Sequence, residues 1–179
     1  MITERFRRTG FRDTAAIFLT VCLLWLAAVN APAGELSEVT EPLRFKLRLA
    51  DLSGQQHSLD EYEGQVLLVN FWASWCRPCL EEMPSIKRLA REMRGKPFAV
   101  LGVNVGEGER RVHATAKRFE IDFPVLLDKD SAVFSDWGAT VLPTAYILDR
   151  SGRVRHIGQG PLEWDRIDII ELLGDLLEQ

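Results

Sequence analysis

Cys76 and Cys79, in Trp75-Cys76-Arg77-Pro78-Cys79, are the side chains of this sequence best suited to covalent chemistry. Thiols three residues apart lie near one helical turn from each other on the same face, so their sulfurs can close a disulfide. Residues 65–71 (QVLLVNF) read as a strand and the residues after Cys76 as a helix, which places Cys76 at the helix N-terminus. Unpaired amides and the macrodipole favour a thiolate there, so Cys76 is expected to attack. Cys79, more shielded by the body of the domain, is expected to resolve. In the reducing direction Cys76 attacks a substrate disulfide, and Cys79 displaces the mixed disulfide, leaving the pair oxidised. Arg77 adds positive charge nearby, and Pro78 suits the first turn because it lacks an N–H that would be unpaired anyway.

Other uses of the pair are weaker. A structural zinc site wants four ligands, but there is no second C-x-x-C, and His57, His113 and His156 lack ligand spacing. They read as solvated or hydrogen-bonded surface residues, and no metal or cofactor is expected. Haem attachment needs a histidine where Leu80 stands. An inert disulfide would close too small a loop to constrain the unfolded chain much. A different class stays open: a redox-sensing or Cu(I)-binding module that uses the pair without turnover.

The elements that must position the pair follow from periodicity. Residues 65–71 and 98–105 are nearly continuous apolar runs, as expected for central strands buried on both faces. Between them, Cys79, Met83, Ile86, Leu89, Ala90 and Met93 recur at helical steps over residues 76–93, making a strand–helix–strand crossover with parallel strands. Phe45, Leu47 and Leu49 alternate with Lys46, Arg48 and Ala50, a half-buried strand pattern. A second helix is predicted over 107–119, a strand over 123–127, one or two helical turns over 131–137, and an antiparallel pair at 144–148 and 154–157 around a turn. An amphipathic helix over 163–177 closes the chain. The composite is an α/β fold: a mixed central sheet with helices on both faces, parallel in the middle and antiparallel at one edge.

The start of the chain reads as a targeting device. Arg5, Arg7, Arg8 and Arg12 precede an uncharged run, residues 15–29, followed by Ala31-Pro32-Ala33. This is a signal-peptide pattern with cleavage before Gly34, or else a retained anchor through residues 14–34, 21 residues against roughly 20 needed to span a bilayer. Either way the arginines stay inside and the remainder is exported. Cys22, within the apolar run, reads as a small hydrophobe. Residues 34–42 are polar and read as a linker, and 43–179 as the domain. Of the chain's net charge of −4, residues 1–33 contribute two acids against four arginines, so the exported part carries −6. An acidic domain without a basic patch excludes nucleic acid as partner.

Taken together, FWASWCRPC, the later Val141-Leu142-Pro143-Thr144 and residues 45–70 resemble the TlpA/ResA-like branch of the thioredoxin superfamily, over essentially all of residues 43–178. The resemblance implies a thioredoxin-like fold with an N-terminal β-hairpin and a helix–strand insertion over 107–127. It implies a redox disulfide Cys76–Cys79, a cis Leu142–Pro143 peptide facing it, and a substrate groove bounded by Trp75, Arg77, Pro78, Leu142 and Pro143. Pro84 matches a proline that kinks the active-site helix, while Trp72, Trp137 and Trp164 read as packing residues. Asn70 stands where thioredoxin has a buried aspartate, and Glu82 matches a glutamate of this branch that takes over proton transfer, against the reading of a first-turn acid favoured by the dipole. The implied function is a thiol-disulfide oxidoreductase of the bacterial periplasm or outer face of the cytoplasmic membrane. It reduces disulfides of exported proteins, as in cytochrome c maturation, and is recharged by a membrane thiol-reducing donor. The alternative within the enzyme class is a disulfide oxidant or isomerase.

Overall fold

The computed structural model describes residues 34–179. The expected signal peptide or anchor, residues 1–33, lies outside them. Its elements in chain order are β1 (Glu35–Leu43), β2 (Arg48–Ala50), β3 (Gln56–Ser58), a 3-10 turn (Leu59–Tyr62), β4 (Val66–Trp72), α1 (Arg77–Glu92), β5 (Phe98–Val105), α2 (Glu109–Arg118), β6 (Val125–Asp128), α3 (Ala132–Asp136), β7 (Thr144–Leu148), β8 (Val154–Gln159) and α4 (Ile167–Glu178). Among them no helix is long and apolar enough to cross a membrane.

Six strands form one sheet in the order β1-β8-β7-β4-β5-β6. β4 is fully buried and pairs parallel with β5, which pairs parallel with β6; β7, β8 and β1 run antiparallel to their neighbours. This is the expected mixed, thioredoxin-like sheet. Alternation along β4 divides the core. Val66, Leu68 and Trp72 face α1, α2 and α4 through Met83, Ile86, Leu89, Val112, Ala116, Ile169 and Leu173, whereas Leu67, Val69 and Phe71 face a second cluster with Trp137, Tyr146 and Leu148. Each fully buried aliphatic side chain contributes roughly 1.5–3 kcal/mol, so α1 is held chiefly by Met83, Ile86 and Leu89.

The second face is closed by the β2–β3 hairpin and α3. Phe45 stacks on Trp137 at 4.9 Å between centroids, and Trp137 Nε1 donates to Lys46 O at 2.9 Å. The alternating residues Phe45, Leu47 and Leu49 therefore do pack inward, although regular strand pairing spans only Arg48–Ala50. The segment expected as a linker is a correction: Glu35–Leu43 is an edge strand, registered on β8 with Leu36 opposite Gly158. Its partner lies some 120 residues away, and among its described side chains only Leu36 and Val39 pack inward, so local periodicity carries little signal. His57 is a second correction. It is hydrogen-bonded, as one of the two readings has it, but buried and not on the surface: Nδ1 lies 2.7 Å from Tyr62 Oη and Nε2 3.3 Å from Asp51 Oδ2, so it pins the hairpin to the 3-10 turn.

Candidate active site

β4 carries the chain through the core to Trp72, and a short turn, residues 73–75, hands it to Cys76, the N-cap of α1. The Cys76 backbone is extended (φ −83°, ψ 98°), and its Sγ accepts from Cys79 N at 3.3 Å. A free amide of the first helical turn is thus aimed at this sulfur, the arrangement that stabilises a thiolate. Cys76 and Cys79 are joined as a disulfide, S–S 2.03 Å and Cα–Cα 5.3 Å. Cys79 is fully buried and Cys76 is 5% exposed, so Cys76 is the sulfur that a partner reaches first. Arg77 and Pro78 are exposed on the first turn. Arg77 Nε donates to Glu81 at 2.8 Å, so its charge is shared with that carboxylate and not directed at the sulfurs alone. Pro84 lies inside the helix, as expected.

The Leu142–Pro143 peptide is cis. Thr144, the next residue, pairs with Phe71 at the end of β4 in antiparallel register, so Pro143 and the turn leading to Cys76 emerge at the same end of the sheet. Pro143 is buried, and its carbonyl accepts from Gly160 N at 3.0 Å. Leu142 is half-buried and touches both halves of the core. At this end two apolar side chains stand out in solvent, Trp75 at 67% and Val141 at 48% exposure. Trp72, Trp137 and Trp164 are all buried, as packing residues should be.

Behind the disulfide lies Glu82, one turn beyond Cys79 and 2% exposed. Oε2 accepts from Leu162 N at 3.2 Å and Trp164 Nε1 at 3.3 Å, while Oε1 has no partner. Burial pushes its pKa up from 4.5 to about 7, against the lowering effect of these donors and of nearby Asn70. The Asn70 side chain, fully buried, makes no hydrogen bond of ordinary geometry. Glu82 is therefore a buried carboxyl with its pKa raised to about 7, unlike exposed Glu81, and it is not a first-turn acid, since the helix begins at Arg77 and has no acid in its first turn.

One residue escaped the sequence reading. Glu107, expected only as the start of a helix, precedes α2 and is 6% exposed. Its carboxylate accepts from Ser74 N and Ser74 Oγ, both at 2.6 Å, and from Asn104 Nδ2 at 2.9 Å. Burial works to raise its pKa, but these bonds and the Arg111 charge outweigh it and hold it below the usual carboxylate range. Nothing local distinguishes Glu107 from other helix-start acids; only the fold brings Ser74 to it.

Comparison with known proteins agrees with the geometry. The AhpC/TSA family model matches residues 40–157. The thiol-disulfide oxidoreductase ResA of Bacillus subtilis (strain 168) is 30% identical over 159 residues, covering 87% of this chain and 88% of that protein. ResA of Geobacillus thermodenitrificans (strain NG80-2) is 37% identical over 114 residues, 64% of this chain and 66% of its own length. Among solved structures, a secreted thiol-disulfide isomerase from Corynebacterium glutamicum has the same fold, with a TM-score of 0.70 at 19% identity over 85% of this chain and 96% of that one.

Proposed function

We propose, from the premise that this chain belongs to the AhpC/TSA family and is a ResA-like thiol-disulfide oxidoreductase, that it is exported and works as a reductant of disulfides in extracytoplasmic proteins. The observation that carries this reading is the Cys76–Cys79 disulfide at the α1 N-terminus with the ionisable Glu82 buried behind it. Cys76 thiolate attacks one sulfur of the substrate disulfide, that S–S bond breaks, and the first substrate thiolate leaves. Cys79, deprotonated by Glu82, then attacks Cys76 Sγ, so the mixed disulfide breaks and the second substrate thiolate leaves. Two electrons pass from the pair to the substrate. Trp75, Arg77, Pro78, Leu142 and Pro143 form the groove for the substrate segment, and exposed Trp75 and Val141 give it an apolar rim.

Residues 1–33 act as signal peptide or anchor, which places the domain in the periplasm or on the outer face of the cytoplasmic membrane. A dithiol in an oxidising compartment needs a source of electrons, so the partner upstream is a membrane thiol-reducing donor. Cytochrome c maturation, where cysteines must be kept reduced, is the process the resemblance favours. The test is the reduction potential of the Cys76/Cys79 pair, equilibrated against dithiothreitol or glutathione buffers and read by thiol trapping. A potential as negative as roughly −270 mV, the thioredoxin range, is the expected result. A value near roughly −120 mV would make the protein a disulfide oxidant and overturn the reductant assignment.

A further inference from the structure

Ser74 and Glu107 lie 33 residues apart in sequence and touch through two hydrogen bonds. Ser74 belongs to the turn between β4 and Cys76, in which Cys76 N donates to Ala73 O at 3.1 Å. Glu107 belongs to the loop between β5 and α2. Gly106 just before it has φ +71°, a left-handed conformation that favours glycine and swings the chain out of β5. Asn104 Nδ2 donates to Glu107 Oε2 at 2.9 Å, so the carboxylate is held from its own side as well. Arg111 Nη1 stands 3.9 Å from Oε1. The two Ser74 donors tie the turn to a carboxylate that Asn104 holds in turn, fixing the place and rotation of Ser74. The next residue, Trp75, lines a groove with Gly106, Gly108, Arg110 and Arg111.

We propose that Glu107 is a positioning residue for disulfide exchange: its carboxylate clamps the Ser74–Trp75 turn and so sets where Cys76 Sγ and the Trp75 ring meet an incoming protein disulfide. Glu107 has no hydrogen bond to either sulfur and acts through Ser74. The assignment rests on the reading of Cys76 as the attacking sulfur. A carboxylate suits this task because its two oxygens accept the backbone N–H and the hydroxyl of the same serine at once, which a neutral single acceptor cannot do.

The experiment compares the full chain with Glu107→Ala, Glu107→Gln and Ser74→Ala in two reactions: steady-state reduction of insulin with dithiothreitol as donor, and alkylation of reduced Cys76 by iodoacetamide. Insulin must dock, whereas iodoacetamide needs only a reachable thiolate. Glu107→Ala is expected to lower kcat/KM for insulin by about tenfold, the scale of a misplaced nucleophile, with alkylation changed by less than about twofold. Glu107→Gln can still accept from Ser74 N and donate to Ser74 Oγ, and is expected to recover to within about threefold of wild type. Unchanged insulin reduction, or equal losses in both reactions, would overturn the positioning role. Should Glu107→Ala fail to fold, Ser74→Ala, which loses only the hydroxyl bond, decides: a fall of about threefold in insulin kcat/KM alone supports the clamp and no fall overturns it. Cys76→Ser is the control. If it still reduces insulin, the nucleophile assignment itself fails; if it does not and Glu107→Ala reduces insulin normally, only the clamp fails.

Discussion

The two cysteines differ in access, and that difference supports the roles proposed for them. Cys76 keeps a small exposed area and a donor amide at its sulfur, whereas Cys79 is sealed between α1 and the sheet. Cys79→Ala is therefore expected to halt the reaction after the first exchange, so that mixed disulfides between Cys76 and substrate accumulate and are seen as dithiothreitol-sensitive bands on non-reducing gels. Absence of such bands, with Cys76 alkylation intact, would remove Cys79 from the resolving role. Glu82 and Asn70 show why a site residue can be visible in sequence while its chemistry is not. Glu82 sits at a recognisable helical spacing from Cys79, but the Leu162 and Trp164 donors come from a loop about 80 residues on, and the empty Oε1 exists only in the packed core. Glu107 is the complementary case, since its partner Ser74 is an ordinary turn serine until β4 and β5 are paired.

Elements whose signals are local were legible. The apolar runs of β4 and β5 and the helical step of α1 follow from burial on two faces and on one; β5 has the expected bounds, and β4 and α1 are off by one residue at each end, α1 at its start because Cys76 is a cap and not a helical residue. β1 was not legible, because its strand character is conferred by β8. The bond between α1 and the loop after β8 is equally invisible in sequence. Ser85 Oγ donates to Glu82 O at 2.7 Å and accepts from Trp164 N at 3.1 Å, all in the buried interior. Gly158 makes room there, since a Cβ would stand 2.9 Å from Leu162 Cδ1 and 3.3 Å from the Trp164 ring. Arg88 spans the same two elements on the surface, with Nε 2.5 Å from Asp165 Oδ2. Ser85→Ala is expected to destabilise the fold by about 1–3 kcal/mol because it leaves a buried Trp164 N–H without its acceptor. Arg88→Ala, although it breaks a shorter contact, should cost about 1 kcal/mol or less, because the pair is exposed to water. Urea unfolding midpoints of the two variants measure the difference, and equal losses would show that burial does not separate these ties.

At the scale of the whole molecule, an acidic domain of charge −6 keeps its carboxylates in two opposed classes, and their balance sets how stability responds to pH. Asp149 and Glu107 are each pushed upward by burial, but hydrogen bonds from Ser151 and Arg153 to the first, and from Ser74 and Asn104 to the second, leave both below their ordinary range. Their stabilisation is present above the unfolded-state values and is lost as pH falls through the folded ones. Glu82 acts the other way. Its folded pKa of about 7 exceeds the unfolded 4.5, so the folded chain holds a proton that the unfolded chain has released. That contribution is complete below pH 4.5 and declines as pH rises to 7, about 3 kcal/mol in all. The Glu82 contribution is thus expected to be largest near and below about pH 5, while His156, held below its ordinary value by burial, opposes it by favouring the folded state as pH rises. Glu82→Gln cannot ionise and retains an acceptor for Leu162 N, so the stability of the wild type relative to this variant should fall from about pH 5 to 8, His156 contributing alike to both. The curves, measured by urea unfolding at constant ionic strength, separate most widely at pH 8, where the wild type buries a full charge. Parallel curves in the two proteins would leave Glu82 without the neutral-range ionisation that its proposed proton-accepting role requires.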